Sequence, residues 1–158
     1  NELTSVNMSS KTTIQSRQEQ KISRFTIGDT NVTYEAVGQV QAGIDISKLV
    51  AKSVDPEKHR IHIQLPPPHI SDTSLDVSNS HVIASYKNWF GPNTERQLLE
   101  ESEEQALAQI KANACAGDIL QKANNNAKKL VEDILRVAEY ENITIDIQSP
   151  SKEDCKKV

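Results

Sequence analysis

The chain has 158 residues, 36% of them hydrophobic and 25% charged, a size that fits one domain with a real core. A net charge of −4, scattered Lys and Arg, and only 4% aromatic residues exclude a basic nucleic-acid footprint and a polybasic membrane-surface patch. No stretch approaches the ~20 apolar residues of a bilayer span, and mean hydropathy is −0.56.

Residues 1–20 are rich in Ser, Thr and Gln and read as a strand or an extended lead-in. Residues 1–12 are taken as a polar lead-in, 13–148 as one α+β domain and 149–158 as a disordered tail. From Ser23 the pattern is β. Phe25 and Ile27 alternate, and Gly28 to Asn31 supplies turn chemistry for a hairpin. Val32, Tyr34 and Ala36 then share one face of a long second strand. Gly38 interrupts that strand, as at a bulge or a close backbone approach.

Ser47 reads as the N-cap of a short helical turn over SKLVAKS, and Asp55 to Lys58 as a turn. Ile61, Ile63 and Leu65 alternate as a half-buried strand that runs into Pro66, Pro67 and Pro68. Residues 71–80 look like a loop. HVIASYKNWF reads equally as a strand or a short helix. Thr94 to Gln97 has capping-box spacing, and apolar residues then recur at helical intervals from Leu99 to Ala138. This is one long helix or two. Gly117 followed by Asp118 favours two, with Asp118 capping the second. Ile143, Ile145 and Ile147 return as a final strand. The fold class is α+β: a largely antiparallel sheet, with the C-terminal helical segment packed on it.

Several short elements resemble a bacterial family known as domain of unknown function 4230. They are YEAVG at 34–38, AGIDISK at 42–48, Leu65-Pro66, Leu75-Asp76 and ANNNA at 123–127. The likeness runs from about Thr13 to Ala138, with GIDIS its most specific piece. The resemblance implies an α+β domain carried behind a single N-terminal membrane-spanning segment, and it implies no activity. The first residue is Asn1 and not Met, as expected if that anchor has been removed. The domain is then expected to be membrane-anchored and extracytoplasmic. Pro67, Pro68 and Asp118 depart from the family's pattern.

Residues with chemistry to offer are few. In GIDIS, Asp45 and Ser47 share a face opposite Ile44 and Ile46. They can hold a polar ligand, or serve as turn and cap residues behind Gly43. His62 and His69 are the histidines nearest to such a site in the Ile61–His81 region. A His62, His69 and Asp72 metal cluster is disfavoured, and no metal or other cofactor is expected. The proline triplet lacks PxxP spacing, and three residues without N–H donors end a ladder and steer the chain. Trp89 and Phe90 form either a core plug or an anchor for a partner or lipid. Cys115 and Cys155 lack metal-knuckle spacing, and the tail position of Cys155 argues against a bridge between them.

No nucleophile elbow, phosphate loop or zinc-protease motif is present. The preferred reading is a non-catalytic binding or scaffold module with an unidentified protein partner and no nucleic acid. The alternative is a hydrolase-like or small-ligand site around Asp45 and Ser47. A homodimer is a further possibility if Gly117 lies on a continuous helical stripe.

Overall fold

Alternation dominates the front half. In a strand, successive side chains face opposite sides, so one buried face requires a period of two. Every even-numbered residue from Gly28 to Ile44 is buried, including Val32, Tyr34, Ala36, Val40 and Ala42. These residues form β2 (Phe25–Asp45), the partner of an equally long β1 (Glu2–Ile22). The computed structural model describes residues 1–87, 94–151 and 155.

The hairpin turn lies at Ser23–Arg24 and not at Gly28–Asn31. Ser23 takes a φ of 56°, as the first position of a primed hairpin turn requires. Residues 28–31 stay extended because Thr30 is buried and Asp29 receives the Arg17 guanidinium. Arg17 Nε lies 3.0 Å from Asp29 Oδ1, and Nη2 lies 3.0 Å from Oδ2.

After Asp45 a single 3₁₀ turn covers Ile46–Lys48, and β3 (Val50–Asp55) follows. The expected helical turn over SKLVAKS is therefore mostly strand. β4 (Arg60–Gln64) carries Ile61 and Ile63 inward. β5 (His69–Leu75) occupies much of the segment expected to be loop. Its Ser, Asp and Thr residues hide a strand that pairing to β2 imposes. β6 (His81–Lys87) resolves the strand-or-helix ambiguity as strand, antiparallel to β2 with Thr30 opposite Lys87. Trp89 and Phe90 lie outside the described residues.

Two helices fill the back half, α1 (Glu95–Ala116) and α2 (Ile119–Val137), separated by a turn at Gly117–Asp118. Gly117 is thus not on a continuous stripe, which was the condition for pairing the helix with a copy of itself. Thr94 Oγ1 makes no hydrogen bond among the described residues, so the capping box does not form. Asp118 does not cap α2 through its side chain, and its carboxylate meets Lys122 at 3.1 Å. The buried positions of α1 are Leu98, Ser102, Ala106, Ile110 and Ala114. Those of α2 are Ile119, Leu120, Ala123, Asn124, Ala127 and Val131. Leu130 and Ile134, placed on the inward stripe by periodicity, are exposed, because the buried face of α2 is rotated by about one residue.

β7 (Asn142–Asp146) closes the element order, so the fold is α+β with two sheets. One has the order β1-β2-β5 with β6 also on β2, and the other is β3-β4-β7. β4 pairs antiparallel with β3 and parallel with β7, placing Ile61 beside Ile143 and Ile63 beside Ile145.

The chain divides into two compact units. One comprises Asn1–Met8, Val40–Asp72 and Ala114–Val158, and the other Ser9–Gln39 and Thr73–Asn113. The core of the first is Ile44, Ile61, Ile63, Leu65, Ala127, Val131 and Ile145, edged by Leu3, Leu49 and Tyr140. In the second, Gly38 sits 2.6 Å, measured from the place of a Cβ, from Ile110 Cδ1. The break expected at Gly38 is therefore a close approach within an unbroken strand. Ser16 and Ser102 share a buried 2.8 Å hydrogen bond there, and Ser102 also donates to the Leu98 carbonyl.

At Gly43 the neighbour is rigid. A Cβ there would overlap the Leu3 carbonyl oxygen and stand 2.9 Å from Thr4 Cα. We expect Gly43→Ala to destabilise the protein by about 3 kcal/mol and Gly38→Ala by about 1 kcal/mol. At Gly38 the Ile110 side chain can turn away and the Ser74 carbonyl oxygen stands at 3.1 Å, whereas at Gly43 the Leu3 backbone itself fills the space. Urea midpoints of the two variants check the order.

Candidate functional site

The GIDIS segment ends β2 and turns the chain. Asp45 is the N-cap of the 3₁₀ turn, accepting the Ser47 N–H at 3.1 Å and the Ser47 hydroxyl at 2.6 Å on Oδ1. Lys48 Nζ lies 3.4 Å from Oδ2. The capping residue is therefore Asp45, with Ser47 as its donor, the reverse of the cap expected at Ser47. The Ser47 hydroxyl, above all, holds the Asp45 carboxyl below the usual carboxylate range, with the Ser47 backbone N–H and Lys48 adding to it against partial desolvation.

The histidines are bonded elsewhere. His62 Nε2 meets Asp146 Oδ2 at 2.6 Å, across the β4–β7 pair. His69 Nε2 lies 3.2 Å from Glu2 Oε2. His59 adopts a φ of 48° and its Nδ1 lies 2.7 Å from the Glu139 carbonyl. Each candidate thus has its own partner, and those partners belong to different elements. Among the described residues no group of three His, Cys, Asp or Glu is placed to hold a metal ion.

The prolines lie inside the fold. Pro66 and Pro68 are buried and Pro67 is half-buried. The Leu65 N–H makes a last bond to the Asp146 carbonyl at 2.9 Å, after which the chain lacks donors until β5 begins at His69.

Two other polar elements also work locally. Asp76 Oδ1 accepts the N–H groups of Ser78 and Asn79, and Oδ2 accepts the Asn79 amide at 2.7 Å. This carboxyl too is held low, chiefly by Asn79. In the ANNNA stretch, Asn124 donates to the Gln148 carbonyl at 2.6 Å and Asn126 to the Ser5 carbonyl at 3.0 Å. Ser5 in turn donates to the Ala123 carbonyl at 2.9 Å, and Gln148 to the Leu65 carbonyl at 3.1 Å. α2 is thereby tied to the start of β1 and to the chain beyond β7.

The described cleft of note lies where α1 gives way to α2. It encloses about 420 Å³ beside Gly117, Asp118, Leu120, Gln121 and Pro150. Its wall includes a disulfide between Cys115 and Cys155, with Cα atoms 5.9 Å apart. The expectation that the tail cysteine stays unpaired is overturned: residue 155 returns to the end of α1. An even cysteine count in a chain expected outside the cytoplasm was the available signal.

The matching positions now have physical roles, and a family model covers residues 1–145. The chain belongs to the family described as Protein of unknown function (DUF4230). No curated protein and no solved structure matches it. Gly43, Asp45, Asp76, Asn124 and Asn126 of this DUF4230 chain all hold the fold together. Among the described residues no helix is long and apolar enough to cross a membrane.

A carboxyl whose folded-state pKa is depressed adds stability that is present above its unfolded value, about 3.9 for Asp and about 4.3 for Glu, and lost as pH falls through the folded value. Asp45, Asp76, Glu35 and Glu132 all shift this way. The urea midpoint should therefore fall below about pH 4 on account of these groups. Ser47→Ala should shrink the difference between pH 7 and pH 3, and an unchanged difference would show that Ser47 does not hold Asp45 ionised.

Proposed function

We propose that this DUF4230 chain is the extracytoplasmic domain of a membrane-anchored bacterial protein and acts as a non-catalytic binding or scaffold module. The observation that carries the reading is how the chain uses its polar residues. Asp45 caps a turn, His62 pairs with Asp146, His69 pairs with Glu2, and Asp76 shapes the turn before β6. Catalysis by acid–base pairs needs groups that converge on one reacting atom, and these groups diverge into structural bonds. Within this reading the partner is a protein.

The Cys115–Cys155 bridge supports the location, since disulfides persist in oxidising compartments and are rare where thiol reductants dominate. The anchor rests on the family resemblance. A small polar ligand held by Asp45 and Ser47 is the second reading, favoured by their 2.6 Å contact alone.

Acid-quenching intact cells and alkylating free thiols tests the compartment. A fully oxidised Cys115–Cys155 pair is the expected result, and two labelled thiols would remove the extracytoplasmic placement. The bridge spans a sequence separation of 40, which corresponds to about 4 kcal/mol of loop-closure stabilisation. Cys155→Ser should lower the unfolding free energy by up to that amount in urea titration.

A further inference from the structure

The Ser23–Arg24 turn closes a ribbon whose end carries an exposed apolar surface. Lys21 through Ile27 are exposed, seven residues in succession, so both faces of the ribbon stand in solvent. Ile22 is 63% exposed, Phe25 76% and Ile27 38%. Phe25 is one of two phenylalanines in the chain. Such apolar exposure at an apex opposes folding in water and marks an interaction site.

The charges are one-sided. Lys21 and Arg24 are cations, and no acidic residue occurs from 21 to 27 in a chain whose net charge is −4. The nearest acids, Glu19 and Asp29, are each engaged by Arg17 at 3.0 Å, and Glu19 also meets Lys21 at 3.4 Å, which leaves a cationic surplus at the apex. The apex therefore presents apolar side chains beside two cations, Lys21 and Arg24.

We propose that this apex is a membrane-contact site that inserts Ile22 and Phe25 into the interfacial region of a bilayer containing anionic lipids. A protein surface would cover one face of the ribbon, whereas a fluid interface surrounds both. Three residues on either side of the turn reach about 10 Å at 3.3 Å per residue, which matches the 5–10 Å depth of interfacial elements. β1 and β2 are hydrogen-bonded neighbours, so the inner backbone groups stay paired, and headgroups and water serve the outer ones. Lys21 and Arg24 lie where anionic headgroups would meet them. Two cations make a weak electrostatic contact, so the apolar pair is the main anchor. The contact does not rest on the N-terminal anchor proposed above.

Sedimentation of residues 1–158 with phosphatidylcholine vesicles, and with vesicles also containing phosphatidylglycerol, tests the site. Wild type should bind the anionic vesicles and bind the neutral ones more weakly. Ile22→Asp with Phe25→Asp should weaken binding at least about tenfold. Val137→Asp should bind as wild type does, because Val137, 87% exposed on α2, belongs to neither strand of the ribbon. No binding to anionic vesicles, equal binding to both vesicle types, or an apex variant that binds like wild type would overturn the proposal. Should the double variant fail to fold by circular dichroism, Phe25→Trp reads the same contact. A blue shift of its emission with anionic vesicles supports insertion, and unchanged emission refutes it.

Discussion

Where β2 ends, the backbone of Leu3 and Thr4 occupies the space that a side chain at residue 43 would need. Only a residue without Cβ permits that contact, and much of the first unit follows from it. With β1 seated there, the Asn1 carbonyl accepts the Ile46 N–H at 3.1 Å, and Leu3 packs on the core around Ile44. Ser5 is then in place to exchange bonds with the Ala123 carbonyl and the Asn126 amide of α2. The 3₁₀ turn capped by Asp45 sends the chain into β3, and β3 pairs with the strand that carries Ile61 and Ile63.

Most of the elements were legible because they obey a period. The inward face of β2, the Ile61–Ile63–Leu65 strand and the Ile143–Ile145 strand each alternate cleanly. The Gly117–Asp118 break between helices was also visible in the residues. The errors fell where side chains carry no hydrophobic signal. β1 turns Ser10, Thr12, Ser16 and Gln18 toward its more buried face, and β5 is mostly Ser, Asp and Thr. Such strands are specified by their neighbours more than by themselves. The hairpin turn was misplaced because Gly28-Asp29 is a strong turn signal locally, yet Asp29 is claimed by Arg17 across the ribbon.

The site residues followed a different logic. Asp45, Ser47 and Gly43 attracted attention as a possible polar site, and their geometry accounts for them as a close approach and its cap. The same is true of Asp76 and of the asparagines of α2. Residues that stand out in a sequence can record the conditions for folding and leave other surfaces unmarked. The apex at Ile22 and Phe25 carries no motif and lies outside the short segments on which the resemblance rests. Burial alone, read from coordinates, separates it from the ordinary alternation beside it.

The first unit is assembled from both ends of the polypeptide. Ser5 bonds to residues 118 and 121 positions away, and Leu65 is held from position 148. A nascent chain emerging amino end first therefore cannot finish this unit until almost all of it has been made. During synthesis the long ribbon waits with its oily side uncovered, a topology associated with slow folding and with dependence on escorts that keep strands apart. Cutting the gene at any single internal point leaves the first unit incomplete.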